Sequence, residues 1–358
     1  MRLLIYGGCH ALILKRLIDE LGDSPRTRVD LLINYDLVAS NQPFNYDMLK
    51  NYDAVIYSPI QNKGIYNTSY LDEACASSGV QAIRFPWLEW HGYAVSADKG
   101  QFWGHHGWHF PDLIALGRDF EDEQSFARTA IHEFPSVQTI RHLFDVTTQR
   151  LAAQEIETDC HVRVSGFIGE NFRRRRLFLT PDHPTAELYR CVVEQIEALL
   201  GRRLIPSWSP DMPELQPEER TPILPRIAAE TDLAFTDTSW RCETQPLGAM
   251  SLDAFLALHF QAGRRSRDVD GAPPEVVLAT ASRPTWASPI DPSAGEPGPA
   301  MLPIFHQALI RGRRPAAGDM HFTGEIIATL SGHEAAEATP RQLRGAYRLR
   351  AHDWIFRS

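Results

Sequence analysis

A cysteine at position 9 follows Tyr6-Gly7-Gly8 and precedes His10. A thiol that opens a helix lies at the positive end of the helix dipole, beside backbone N–H groups with no intrahelical acceptor. That setting lowers its pKa and prepares a place for an anion or an oxyanion. Cys9 is therefore a candidate nucleophile, with Gly7 and Gly8 bringing the backbone close to a bound group. The same position also suits a compact, inert thiol buried in a tight turn, and the sequence alone leaves both open.

Two further constellations carry chemistry. Ser58-Pro59-Ile60-Gln61-Asn62 could present Ser58, Pro59 and a side-chain amide, Gln61 or Asn62, to a developing oxyanion or a cofactor; turn-forming chemistry explains the same residues. In Leu177-Phe178-Leu179-Thr180-Pro181-Asp182-His183-Pro184-Thr185, the proline after His183 restricts its backbone. The imidazole could then serve as general base, oriented by Asp182. Read plainly, the segment is a helix start capped near Thr185. The run Arg173 to Arg176 could clamp phosphate, with Arg175 and Arg176 as the candidates, although four consecutive arginines cannot all face one way. Trp103-Gly104-His105-His106-Gly107-Trp108-His109 has histidines but no helical spacing and no adjacent carboxylate, so a polar aromatic loop is expected there and no metal.

These residues need elements to hold them. Arg2 to Tyr6 reads as a strand and Ala11 to Leu21 as a helix, with the Cys9 turn between them. Val29 to Ile33, Tyr52 to Tyr57 and Gln81 to Phe85 read as strands, and Ser69 to Ser78 as a helix. The alternation predicts an α/β fold whose N-terminal part is an open, mainly parallel sheet with helices, extended into a loop-rich cradle. Ligands of such sheets collect beyond the carboxyl ends of the strands, where Cys9 and Ser58 to Asn62 fall. Pro86 to Pro111 reads as an aromatic loop suited to a binding wall. Helices are expected around a break at Pro135 between Asp119 and Gln149, then at Thr185 to Leu200 and Ser251 to Gln261. Pro206 to Pro225 is expected to be extended, and Gly263 to Pro274 and Ala287 to Pro303 to be loops. The expected partition is an α/β part over residues 1–115, a helix-rich part over 116–262 and a Pro/Gly-rich appendage over 263–358.

Composition narrows the class. The chain has 358 residues, 43% hydrophobic and 23% charged, enough to bury a core without disulfides or a structural metal. Its formal charge of -9 gives no overall attraction for nucleic acid or an anionic membrane, so neither is an expected partner, and any anionic ligand must find a local basic site. Cys9, Cys75, Cys160, Cys191 and Cys242 form no CxxC pair and leave one over, which argues against a disulfide framework and for the cytoplasm. The apolar run before Cys9 is too short for a secretory core, so no targeting or transmembrane segment is expected.

The order and spacing of these motifs resemble those of the WcbI-like polysaccharide-biosynthesis enzymes, a family of proposed acetyltransferases. That family pairs a strand, a Gly-Asn-Cys-Gln-like turn and a helix with a later Ser-Pro-Ile turn. An Asp, a Ser and a Phe-Ile pair follow, then a Leu-Phe-x-Thr-x-Asn-His-Pro-Thr-like motif. Here the matching residues are Gly7-Gly8-Cys9-His10, Ser58-Pro59-Ile60, Asp159, Ser165, Phe167-Ile168 and Leu177 to Thr185. The likeness spans about residues 1–262. Gly8, His10 and Asp182 depart from it, standing for Asn, Gln and Asn.

The resemblance implies a cradle that binds coenzyme A or acetyl-CoA, with acetyl transfer to a sugar or polysaccharide acceptor and a possible partner in a biosynthetic complex. Cys9 and His183 would lie near the cofactor thiol, with His10 as a nearer base. Two other readings stay open: an SGNH-like esterase or thioesterase with Cys9 as nucleophile, and a non-catalytic carbohydrate or cofactor-binding module.

Overall fold

The computed structural model describes residues 1–22, 27–102, 105–209, 212–241, 250–270, 275–281, 287–289, 307–312, 321–330, 346–350 and 354–357. Trp103, Gly104 and Cys242 lie outside them, as does most of Ala287 to Pro303.

Along the chain run β1 (Arg2–Gly7), α1 (Cys9–Leu21), β2 (Arg28–Ile33), α2 (Asn34–Ala39), β3 (Ala54–Tyr57), α3 (Ser69–Ser78) and β4 (Gln81–Arg84). Then come the hairpin β5 (Asp98–Phe102) and β6 (His105–His109), and the helices α4 (Pro111–Gly117), α5 (Glu123–His132), α6 (Val137–Glu157) and α7 (Ser165–Asn171). They lead into β7 (Phe178–Thr180), β8 (His183–Pro184), α8 (Ala186–Leu200), α9 (Pro225–Glu230) and α10 (Leu252–Asp270). The last strands are β9 (Glu275–Ala281), β10 (Ala287–Pro289), β11 (Gln307–Gly312), β12 (His321–Leu330), β13 (Ala346–Arg350) and β14 (Trp354–Arg357). They form two compact units, Met1–Val95 with Ser136–Pro217 and Ile227–Asp237, and Ser96–Pro135 with Glu218–Arg226 and Thr238–Ser358.

The first unit is built on a parallel sheet in the order β2-β1-β3-β4. Its central strands are buried on both faces, which is why RLLIY and AVIY are almost unbroken apolar runs: Leu3, Leu4, Ile5, Val55 and Ile56 are all at most 1% exposed. Helix α1 lays Leu14, Leu17 and Ile18 on this core, and α8 buries Leu188, Val192 and Ile196 with helical spacing. After β1 the chain crosses to β2 on one side and returns to β3 on the other. The strand order therefore reverses between β1 and β3, and the switch point lies at Gly7 and Tyr57, whose strands pair Tyr6 with Tyr57.

Several sequence expectations need correction. The aromatic stretch from Pro86 to Pro111 is largely core: Trp90 is 1% exposed and packs against Tyr93, Phe144, Phe172 and Phe178 with ring centroids 5.0–5.8 Å apart. Part of it is the β5–β6 hairpin of the second unit. The loop expected from Gly263 is helix through Asp270.

In that second unit α4 packs with α10. His259, fully buried on α10, donates from Nδ1 to the Phe255 carbonyl at 2.8 Å and accepts from the Phe110 N–H at 3.2 Å, so it is neutral, and burial pushes its pKa down to about 3. The strands after residue 274 form an antiparallel sheet in the order β10-β13-β12-β11-β9-β14.

Candidate functional site

The Cys9 turn is shaped by two glycines with different jobs. A Cβ on Gly7 would stand 3.1 Å from the Ala11 Cβ, so glycine lets α1 fold back tightly over the end of β1. A Cβ on Gly8 would meet Asn34 Oδ1 and the Trp87 ring at ordinary contact, 3.6 Å. Gly8 caps α1 through its backbone, with no side-chain cap bond, and Cys9, half-buried, is the first residue of the helix. The N–H groups of the first turn therefore lie at the same end of α1 as Cys9.

His10 is 1% exposed, and its Nδ1 lies 2.9 Å from the Tyr189 hydroxyl on α8. Trp87 leans on the other side of the imidazole, ring centroids 4.3 Å apart. His10 Nε2 is buried with no hydrogen-bond partner among the described residues. Burial depresses the His10 pKa to about 3, against smaller opposing effects of Asp182 and Glu89, and His183 lowers it further. The ring is neutral at pH 7, a weak base and a competent hydrogen-bonding group. Tyr189 is held protonated, its pKa pushed far up by burial first and then by Cys9 and Asp182. Cys9, His10, Asp182, His183 and Tyr189 thus form one electrostatic neighbourhood.

The β7–β8 hairpin delivers the Asp-His pair. Asp182 sits in its turn, where Oδ1 accepts from the Thr180 hydroxyl at 2.8 Å and lies 3.8 Å from His183 Nε2. The Trp90 N–H donates to the Pro181 carbonyl at 2.8 Å, pinning this turn to the loop after β4. From that loop Trp87 Nε1 donates to Glu89 Oε2 at 3.2 Å, and the other Glu89 oxygen is 3.1 Å from His91 Nε2. The His91 hydrogen bond is the main cause of the lowered Glu89 pKa. A cavity of about 340 Å³ opens here, lined by Trp87, Glu89, His91 and Arg150 among others.

The remaining predicted residues fall elsewhere. Ser58 is buried, and the loop after it is tied by Thr68, whose Oγ1 accepts from the Ile60 N–H at 3.0 Å. Pro59, Gln61 and Asn62 line a second cavity of about 560 Å³ over the carboxyl ends of β3 and β4. Arg175 is exposed and paired with Glu187. Arg176 donates to the Phe178 and Leu179 carbonyls, both at 2.9 Å, and pairs with Asp237. Its guanidinium braces β7. Trp87, in the expected aromatic wall, lines the smaller cavity, whereas sequence reasoning missed Tyr189, Asn34 and Glu89, which come from α8, α2 and the loop after β4. Among their signals, only the position of Asn34, directly after a strand, was readable.

The sequence profile of the family described as polysaccharide biosynthesis enzyme WcbI matches residues 2–204. The chain belongs to the WcbI family. The match begins in β1 and ends just past α8, so it includes the whole Cys9 neighbourhood and both cavities. A solved WcbI structure is similar, with a TM-score of 0.59 and 17% identity over 74% of this chain and 90% of its own. It is described as a novel polysaccharide biosynthesis enzyme, in its native form without a disulfide bond between coenzyme A and one of its cysteines. At that identity the likeness establishes the fold. No curated protein sequence matches significantly. Among the described residues, no helix is long and apolar enough to cross a membrane.

Proposed function

We propose that this WcbI-family enzyme transfers an acyl group, acetyl first among them, from a coenzyme A thioester to a hydroxyl of a polysaccharide or sugar precursor in the cytoplasm. The observation that carries this reading is Cys9 at the head of α1, in one electrostatic neighbourhood with the buried His10–Tyr189 pair and with Asp182 and His183. His10 Nε2, which has no hydrogen-bond partner among the described residues, and the thiol offer polar contacts to a thioester, and the cavity lined by Trp87, His91 and Arg150, whose Trp87 packs on His10, offers room and a cation. The description of the WcbI relative, which speaks of coenzyme A and one of its cysteines, supports the same donor.

The donor supplies an acyl carbon already activated as a thioester. The first-turn N–H groups of α1 are the oxyanion donors, a role worth about 3 kcal/mol per donor in known enzymes. His183, oriented by Asp182, accepts the proton of the acceptor hydroxyl. His10 is too weakly basic for that task and instead holds a hydrogen bond at the reacting group, its ring fixed by Tyr189 and Trp87. The acceptor oxygen attacks the donor carbonyl directly, or Cys9 takes the acyl group first and passes it on. In either case the donor C–S bond breaks and coenzyme A leaves as its thiol, taking the proton that the nucleophile gives up.

The test is a thermal-shift titration of the full chain with coenzyme A and acetyl-CoA against AMP and pantetheine. Saturating ligand raises stability by about 2.7 kcal/mol at a hundredfold excess over Kd. A saturable shift that exceeds both fragments is expected; no shift would overturn the donor assignment. Acetyl-CoA or ester hydrolysis without any acceptor, lost in Cys9→Ala, would instead assign the SGNH-like hydrolase reading.

A further inference from the structure

The larger cavity, about 560 Å³ and within the usual range of small-molecule sites, is absent from the mechanism above. It lies over the carboxyl ends of β3 and β4, and beside the apolar Pro59 and Ile60 its lining side chains are mostly polar. Gln61, Asn62 and Asn67 are amides, Thr68 and Ser69 hydroxyls, and Asp72, Glu157 and Asp159 carboxylates around Arg84. Arg84 is held in place: Nη1 lies 2.8 Å from Asp72 Oδ1, Nη2 lies 2.5 Å from Asp159 Oδ2, and Nε donates to the Asp159 carbonyl at 2.8 Å. These bonds fix both carboxylates and leave each a second oxygen. Fixed carboxylates and planar amides form paired hydrogen bonds with adjacent hydroxyls without paying the entropy of ordering them.

Charge sets the ligand class. The lining holds three carboxylates and one guanidinium, which is already paired with two of them, so the cavity repels phosphate and suits an uncharged ligand dense in hydroxyls. Place supports the same choice. Glu157 lines this cavity and also the smaller one, whose Trp87 packs on His10, so the two adjoin at that residue.

We propose that this cleft binds the acceptor as a neutral polyol, through adjacent hydroxyls of a sugar ring held by Asp72, Asp159 and the Gln61 and Asn62 amides. This assignment rests on the acyl-transfer reading for its purpose. It moves Gln61 and Asn62 from the donor to the acceptor.

The experiment is saturation-transfer NMR on the full-length protein with methyl α-D-mannopyranoside, methyl β-D-galactopyranoside and N-acetylglucosamine, and with inorganic pyrophosphate as competitor. Sugars are titrated to about 20 mM, well above a Kd of about 1 mM. At least one sugar should give saturable transfer to its ring protons, unaffected by pyrophosphate. Gln61→Ala with Asn62→Gly should weaken it about fivefold or more, the worth of one hydrogen bond. Asn62 has φ 57°, which glycine adopts freely, so the change does not threaten the fold. No transfer from any of the three sugars, equal transfer to this variant, or displacement by pyrophosphate would overturn the assignment. The coenzyme A titration of the unaltered protein tests the acyl-transfer reading separately, so the two can fail independently.

Discussion

His10 Nδ1 and the Tyr189 hydroxyl stand 2.9 Å apart, although the two residues are separated by 179 positions in the chain, and both are fully withdrawn from water. The bond joins the first turn of α1 to α8 and fixes the orientation of the imidazole. Tyr189→Phe leaves that nitrogen buried without a partner. Chemical unfolding should show a loss of about 1–3 kcal/mol, and acetyl transfer should fall with no change in the coenzyme A midpoint if the ring is a positioning element.

Stability should depend on pH through the same ring. Its folded pKa of about 3 lies below the ordinary 6.5, so between these values the unfolded chain binds a proton that the folded one does not. This contribution is complete above about pH 6.5 and is lost as pH falls toward 3, with a slope of up to about 1.4 kcal/mol per pH unit. His259 adds a slope of the same sign. Urea midpoints measured from pH 7 to pH 4 should fall less steeply in His10→Asn than in the unaltered protein; equal slopes would show that His10 charges in the native state.

His183→Ala should lower acetyl transfer by about 10²–10⁴-fold, the usual worth of a general base. The thermal shift with coenzyme A should remain, because His183 acts on the acceptor. Unchanged turnover would remove it from the reaction.

The arginine run should divide by burial. Arg176, whose side chain is 11% exposed, braces two β7 carbonyls and pairs with Asp237, so Arg176→Ala should cost about 2–4 kcal/mol of stability. The Arg175 side chain is 59% exposed, and its loss should cost less than about 1 kcal/mol. Thermal melts of the two variants decide this, and equal losses would contradict the bracing role.

Gly7 and Gly8 should also separate. Gly8→Ala places its Cβ at ordinary contact distance from Asn34 and Trp87, so the melting temperature should barely move. Gly7→Ala pushes against Ala11 at 3.1 Å and should cost about 1–3 kcal/mol.

Much of the architecture was written in local patterns. Strand β1, helix α1 and helix α3 follow from apolar runs and helical spacing, because burial on two faces or on one stripe dictates residue type position by position. The cysteine at the strand-to-helix turn, the Ser58 loop at the next strand end and the Asp182-His183 pair were legible for the same reason: turns and strand ends carry their own residue signatures.

Local pattern alone thus yields the parallel sheet, the place of Cys9 on it and the motif order of the WcbI family. Which side chains meet depends on the packing of elements far apart in the chain. Tyr189 looks like any apolar-stripe residue of α8 until α1 is packed against it, and Arg176 looks like a phosphate ligand until the β7 carbonyls take its donors. Trp90 looks like a ligand wall until four aromatic rings surround it. Residue type sets what a side chain can do, but burial and partners from distant parts of the chain set what it does, and no local pattern encodes a contact across 179 residues.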